Sequence, residues 1–159
     1  MIPNLYEIHY ELPSIPEELH KSECDIRKIK DEFADRRSEI DPNSKPKYTL
    51  HTAPPEIKDF LLPHFGEQYE FAFQLITSDL PIHKDFGRRS CFNYIFSSGG
   101  DVSTNWYDDN LNQIKNIVFP ENTWHKIKVD TFHNVTNFTS TRIALSVWEK
   151  DETAIGSIS

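Results

Sequence analysis

The sequence predicts a mainly β protein with helices near its N-terminus, built as a sandwich or jelly roll. The second half of the chain consists of short strand-like runs at even intervals, separated by polar turns, which is typical of these folds. Aromatic residues make up 13% of the chain, and they favour the pleated, half-buried surface of a sheet. A length of 159 residues suits one domain with a sizeable core, so we expect a single domain over residues 1–159.

Residues 1–68 are predicted to form a mainly helical support for the β core. A short strand is expected over residues 5–12, followed by a helix over residues 17–40, where apolar residues recur at helical spacing. A second helix is expected over residues 56–62 and should end at Pro63, because proline cannot continue the backbone hydrogen bonding. We expect these helices to brace one sheet from outside.

Residues 69–150 are predicted to form the β core. Polar turns rich in Gly, Asn, Asp and Ser separate its strand-like runs. The runs cover residues 69–77, 80–85, 90–96, 102–107, 114–118, 124–135 and 142–148. The loops around residues 42–55 and 99–112 would form the rim of any pocket.

Composition and charge exclude several function classes. The net charge of −8 disfavours a nucleic-acid partner, and acidic residues alternate with the basic ones in the two basic runs, 27–30 and 36–37. Cys24 and Cys91 are far apart, so a cysteine zinc site is not expected. No signal peptide is visible, and no apolar run approaches the roughly 18 residues that span a bilayer. We therefore expect a cytoplasmic protein that does not associate with a membrane. The sequence leaves its oligomeric state open.

Three residues form a candidate metal site. His83 and Asp85 are two residues apart in a predicted strand, which places their side chains on the same face. His133 follows 50 residues after His83, near the end of the β region, and the two strands can be neighbours in a rolled-up sheet. Two histidines and one carboxylate are the ligand set of non-haem Fe(II) oxygenases, and they leave metal positions open for a cosubstrate and oxygen.

The last predicted strand has an unusual polar face. Alternation places Ile143, Leu145 and Val147 on one face, and Arg142, Ala144, Ser146 and Trp148 on the other. An Arg and a Ser pointing into a small barrel are costly unless they meet a polar ligand. A planar guanidinium is a natural receptor for a carboxylate, through two parallel hydrogen bonds.

These residues resemble the 2-oxoglutarate-dependent Fe(II) oxygenase superfamily in their order: His83-x-Asp85, then His133, then Arg142. The segment 132–135 with Arg142 to Trp148 is similar to the closing strands of small prolyl-hydroxylase-like and aspartyl/asparaginyl β-hydroxylase-like members. The stretch from Arg89 to Tyr107 resembles the middle strands of small bacterial and viral members. The resemblance covers residues 69–150.

The resemblance implies a double-stranded β-helix, the jelly-roll fold of the cupins. It implies that His83, Asp85 and His133 hold Fe(II), and that Arg142 binds the distal carboxylate of the cosubstrate 2-oxoglutarate. It further implies a hydroxylase that uses O2 on a peptidyl or small-molecule substrate and releases succinate and CO2. Three further residues would contact the cosubstrate or the substrate: Asn93, Tyr94 and Ser146. The chain departs from the family pattern at Ala144, where a serine is usual, which leaves the second carboxylate contact open.

Each candidate site residue could instead have a purely structural role. His83 and Asp85 could be a surface pair, and His133 could be a core histidine bonded to a neighbour such as Thr131. His125 is a rival second histidine. Tyr94 is at least as readily explained as a core aromatic, because aromatic residues in strands usually pack in cores.

Further alternatives concern the arginines and the function. Arg142 could pair with Asp130 or Glu149, and the Arg88-Arg89 pair could be either substrate contacts or surface charges. One alternative function is a non-catalytic jelly-roll module that binds a ligand or has a structural role. Such a module needs neither the metal site of His83, Asp85 and His133 nor an arginine that points inward. A cupin-type isomerase or dioxygenase normally has an HxH pair, which this chain lacks.

Overall fold

The computed structural model describes residues 4–31, 47–85 and 88–150. Within them, a 3-10 helix (Glu17–Leu19) and two α-helices, α1 (Glu23–Arg27) and α2 (Pro55–Phe65), precede or interrupt the first strands. The strands are β1 (Tyr6–Ile8), β2 (Tyr48–Thr52), β3 (Tyr69–Ile76), β4 (Ser90–Ser97), β5 (Ser103–Tyr107), β6 (Gln113–Ile117), β7 (Trp124–Lys128), β8 (His133–Thr136) and β9 (Arg142–Glu149). No helix in the described part of the chain is long and apolar enough to cross a membrane.

The strands form two antiparallel sheets that face one another. The major sheet has the order β1-β7-β4-β9-β3-β2, and the minor sheet has the order β6-β5-β8. The segment from Leu80 to His83 extends the minor sheet beside β8, since Leu80 N–H bonds to the Val135 carbonyl and His83 pairs with His133. From β3 onward the chain passes repeatedly between the sheets. This strand order is that of a double-stranded β-helix, so the predicted fold class is confirmed.

The helices cover the outer face of the major sheet, as the sequence predicts. Apolar side chains of the helices, Ile26, Ile57 and Leu61, are fully buried against this face. On β9 the residues that join this cluster are Leu145 and Val147, with Ile143 beside them, because alternate residues of a strand face the same side. The polar residues of β9 consequently face the other sheet.

The helix predictions need correction. The helix expected over residues 17–40 is confined, in the described part, to the short Glu17–Leu19 and Glu23–Arg27 helices, and the prediction for 32–40 lies outside the described residues. Pro63 does not end α2, which continues to Phe65 because the buried stripe of this helix extends to that residue. The helix ends at Gly66, whose φ of 102° suits glycine and whose N–H bonds to the Leu62 carbonyl.

Two strand predictions and one loop prediction also differ from the structure. The run 124–135 is two strands in different sheets, β7 and β8, because the chain turns between them. Residues 80–85 do not form a continuous strand and pair with β8 through the bond from Leu80 N–H to the Val135 carbonyl and the isolated His83–His133 bridge. The expected 42–55 loop contains β2, an edge strand of the major sheet, while residues 42–46 lie outside the described part. The segment expected to be a helical support thus also contributes β1 and β2 to the sheet.

Candidate metal centre and its pocket

A pocket of about 570 Å³ lies between the two sheets. Its walls come from the inner face of the major sheet, including Asn93, His125 and Arg142, and from the minor sheet at Thr104 and His133. A cavity of this size is large enough for a small organic molecule, and polar side chains on its walls can fix the orientation of that molecule.

His83, Asp85 and His133 converge at the wall of this pocket. Asp85 Oδ1 lies 3.5 Å from His83 Nε2 and 3.6 Å from His133 Nε2, and the ligand atoms of the three residues lie within 4.8 Å of one another. Donor atoms about 2.1 Å from a common ion are roughly 3 to 3.5 Å apart, so small adjustments suffice to bind one ion. Asp85 is held in place by its backbone N–H, which bonds to the Val129 carbonyl at 2.8 Å.

Both histidines present the same ring nitrogen to the candidate ion. His83 Nδ1 lies 2.7 Å from the Pro81 carbonyl, and His133 Nδ1 lies 2.7 Å from the Thr131 carbonyl. A carbonyl only accepts hydrogen bonds, so each Nδ1 carries the proton and each neutral ring has a lone pair at Nε2. Such bonds fix the tautomer and the ring orientation of metal-binding histidines.

The ionisation of the three residues is compatible with metal binding. Burial opposes ionisation of Asp85, but the hydrogen bond with His83 and the electrostatic interactions with His133 and Arg88 lower the pKa of its carboxyl. Burial lowers the pKa of His133, which keeps its ring neutral. The hydrogen bond with Asp85 raises the pKa of His83, so a proton competes with a metal mainly at that residue. Two neutral imidazoles and an ionised carboxylate fit a divalent transition metal.

Arg142 lines the same pocket from the start of β9. It is 5% exposed, and its Nε donates to the Ser98 carbonyl at 3.0 Å. Burial lowers the pKa of Arg142 to about 10, so it remains charged at neutral pH. Neither suggested partner neutralises it, because Asp130 pairs with Lys128 and Glu149 accepts a hydrogen bond from Tyr69. Within the described residues, Arg142 is thus a buried cation without a salt bridge.

Asn93 and Ser146 lie side by side on the pocket floor, since they are paired in the register of β4 and β9. Asn93 Oδ1 is buried and makes no hydrogen bond with the described residues. Both side chains hydrogen-bond to the buried Cys91 thiol, whose pKa burial raises to about 11, so it stays protonated. A buried acceptor without a partner is costly, and a polar ligand would satisfy it.

Tyr94 does not line the pocket. The prediction that it contacts the cosubstrate or the substrate is therefore corrected. It is paired with Leu145 and packs in the core beneath the helices, with its ring centre 5.2 Å from that of Trp124. Asn93 and Tyr94 are neighbours in one strand, so their side chains must face opposite sides of the sheet. Tyr94 is a core aromatic.

His125, which the sequence offers as a rival metal ligand, lines the pocket. It lies across β4 from Ser146, in register with Asn93, and is not part of the metal group. Its ring stacks on Phe119 with centres 3.8 Å apart. Burial, and then the charge of Arg142, lower the pKa of His125 to about 3, so its ring is neutral. Only the register of β4 and β7 reveals this position.

Comparisons with known proteins give distant structural neighbours. No protein-family model and no curated protein matches this chain. Among solved structures, it is similar to hydroxypropylphosphonic acid epoxidase from S. wedmorenis, with 14% identity over 64% of this chain and 50% of that chain, at a TM-score of 0.44. It is also similar to oxalate decarboxylase from Bacillus subtilis, with 10% identity over 69% of this chain and 27% of that chain, at a TM-score of 0.46. The chain thus spans half of the epoxidase and about a quarter of the decarboxylase, and the fold assignment rests on the strand order.

Proposed function

We propose that this protein is a non-haem Fe(II)- and 2-oxoglutarate-dependent oxygenase that hydroxylates a peptidyl or small-molecule substrate. The observation that carries the proposal is the convergence of His83, Asp85 and His133 in a pocket that also contains an unneutralised buried Arg142. When bound, Fe(II) would couple the conversion of 2-oxoglutarate and O2 to succinate and CO2 with the insertion of one oxygen atom into a substrate C–H bond.

The three ligands have separate tasks in this proposal. The Nε2 atoms of His83 and His133 and the carboxylate of Asp85 would occupy one face of the ion. Because the backbone hydrogen bonds fix both imidazole rings, little ordering is needed on binding. With only these three residues as protein ligands, the ion would have positions left for a chelating 2-oxoacid and O2.

Arg142 would orient the cosubstrate. Its guanidinium can donate two parallel hydrogen bonds to the distal carboxylate of 2-oxoglutarate, and its burial strengthens this interaction. The second contact that Ala144 cannot supply would come from His125, whose neutral ring lines the same pocket. Asn93 and Ser146 lie on the pocket floor beside His125, where they can hold either the cosubstrate or the substrate.

The experiment is anaerobic addition of Fe(II) and 2-oxoglutarate to the purified protein. The chelate should give a weak visible charge-transfer band, which His133→Ala should abolish and which Arg142→Gln should only shift to higher 2-oxoglutarate concentration. Absence of the band together with absence of divalent metal binding would reject the proposal. The alternative, a non-catalytic jelly-roll binding or structural module, would then be the better interpretation.

A further inference from the structure

Arg88 places a second guanidinium group at the pocket. It lines the pocket with Asp85, and its guanidinium carbon lies 4.7 Å from the centre of the Trp148 ring. Trp148 is 8% exposed, so its ring is a fixed support for the arginine side chain. Trp148 and Arg142 lie six residues apart on β9, which corresponds to roughly 20 Å along a strand. The two arginines therefore serve different ends of the pocket.

The charges that line the pocket leave Arg88 unbalanced. No described residue forms a salt bridge with it, and Asp85 is the carboxylate on which the two histidines of the metal group converge. With the ion and cosubstrate of the proposed function bound, Asp85 and one ligand carboxylate balance the two charges of Fe(II). The other ligand carboxylate balances Arg142, so Arg88 remains as a net positive charge among the described lining residues.

The geometry points to a substrate that carries a carboxylate or phosphate group, which Arg88 binds while the carbon to be hydroxylated lies towards His83, Asp85 and His133. A guanidinium stacked on an indole keeps the N–H groups in its plane available for a planar oxyanion. The chain as a whole has a net charge of −8, so an anion is attracted by this local site and not by the protein surface at large. The inference rests on the proposed function, because the charge balance includes the ion and the cosubstrate.

Two anionic probes, inorganic phosphate and acetate, can test this inference. The protein is loaded with slightly less than one equivalent of Mn(II) and with excess 2-oxoglutarate, so that Arg142 and nearly all the metal groups are already occupied and little free Mn(II) remains. Mn(II) is paramagnetic and accelerates the NMR relaxation of phosphorus in phosphate, or of carbon in acetate, when the probe binds nearby. The probe with the higher affinity tells a phosphate-bearing substrate from a carboxylate-bearing one.

Substitution of Arg88 should remove this binding. We expect Arg88→Gln to weaken binding of the preferred probe by at least about tenfold, because a charge-assisted pair of hydrogen bonds is lost. Arg88→Lys should give an intermediate affinity, since it keeps the charge but loses the planar fork. The matched control is Lys126→Gln, which removes a cation that stacks on Phe92, at 5.3 Å from the ring centre, outside the pocket. Its probe affinity should equal that of the wild type.

Three results would overturn the inference: equal probe affinity in wild-type and Arg88→Gln protein, no probe binding to wild-type protein, or a loss of 2-oxoglutarate affinity in Arg88→Gln and Arg88→Lys in place of a loss of probe affinity. The charge-transfer band of the same proteins, loaded anaerobically with Fe(II) in place of Mn(II), distinguishes failure of this inference from failure of the proposed function. A band without anion binding rejects only the substrate class. A missing band in the wild type rejects the proposed function, and this inference with it.

Discussion

His83 and His133 face one another across an isolated antiparallel bridge, and each donates its Nδ1–H to the carbonyl of the residue two positions earlier. The ring centres are 4.4 Å apart. The same local geometry at two sites that are distant in sequence directs both Nε2 atoms towards the carboxylate of Asp85.

Removal of one ligand should abolish tight metal binding. We expect His133→Ala to weaken Fe(II) or Mn(II) affinity by more than about 100-fold, since even loss of a supporting contact to a ligand costs 10- to 100-fold. Calorimetric titration of metal into the apoprotein measures this. His64→Ala, at an exposed position on α2, is the matched control and should bind metal as the wild type does. Equal affinities in the two variants would falsify the assignment of His133.

Metal affinity should depend on pH through His83. The hydrogen bond with Asp85 raises the pKa of His83 above the ordinary value of 6.5, and only the deprotonated ring binds a metal. Affinity should thus be maximal above this raised pKa and fall about tenfold per pH unit below it, as one proton competes for the site. The decline should begin above pH 6.5. A decline that begins only below pH 5 would assign the titration to His133 or Asp85 instead, since both have a lowered pKa.

Arg142→Met should lower the affinity for 2-oxoglutarate without lowering the stability of the apoprotein. We expect 2-oxoglutarate affinity to fall by about 10- to 150-fold, because a charged hydrogen-bonded pair is worth about 1.5 to 3 kcal/mol. The apoprotein should at the same time be as stable as the wild type or up to about 3 kcal/mol more stable, since a buried charge without a salt bridge is replaced by an apolar chain of similar length. Denaturant unfolding of the metal-free proteins checks the second part. A clear loss of stability would mean that the bond from Nε to the Ser98 carbonyl outweighs the cost of burying the charge.

Neighbouring residues of β9 should respond to substitution in opposite ways. Leu145 is fully buried in the cluster beneath the helices, so Leu145→Ala should lower the free energy of unfolding by about 2 to 5 kcal/mol. The apparent metal affinity of the remaining folded protein should be unchanged. Ser146→Ala should cost less than about 1.5 kcal/mol and act on ligand binding, because this side chain faces the pocket. Equal destabilisation by both substitutions would contradict the assignment of the two faces.

The two residues Asn93 and Tyr94 test the orientation of β4. Tyr94→Phe should leave 2-oxoglutarate affinity unchanged, because the ring lies in the core on the outer face of the sheet. Asn93→Ala should alter the affinity for 2-oxoglutarate or for substrate, because the amide lines the pocket. Titration of 2-oxoglutarate into the Mn(II)-loaded proteins measures both. A weakened cosubstrate complex in Tyr94→Phe would restore the role that the sequence resemblance suggested.

Alternation of side chains explains how much of the architecture could be predicted from sequence. The pattern of β9 correctly separated the face of Arg142 and Ser146 from the face of Leu145, and it placed the helices on the apolar side. The same rule shows that Asn93 and Tyr94 cannot both line one pocket, so that error was avoidable.

Other features depend on pairing between distant segments, which the sequence does not contain. The role of His125 follows from its register opposite Asn93. The run 124–135 keeps strand-like composition through the turn that separates β7 from β8, so composition did not reveal the change of sheet. The edge strand β2 is short and follows a polar, proline-rich stretch, which masked it in the sequence.

The isolated bridge between His83 and His133 also bears on folding. A metal held by both residues and Asp85 would act as a cross-link that closes a 50-residue loop, comparable in topology to a disulfide. Because such an ion binds the native state alone, it adds RT ln(1 + [M]/Kd) to the free energy of unfolding, about 2.7 kcal/mol at 100 times Kd. The supply of that metal would then set not only how many molecules carry the ion but also how long each one survives proteolysis.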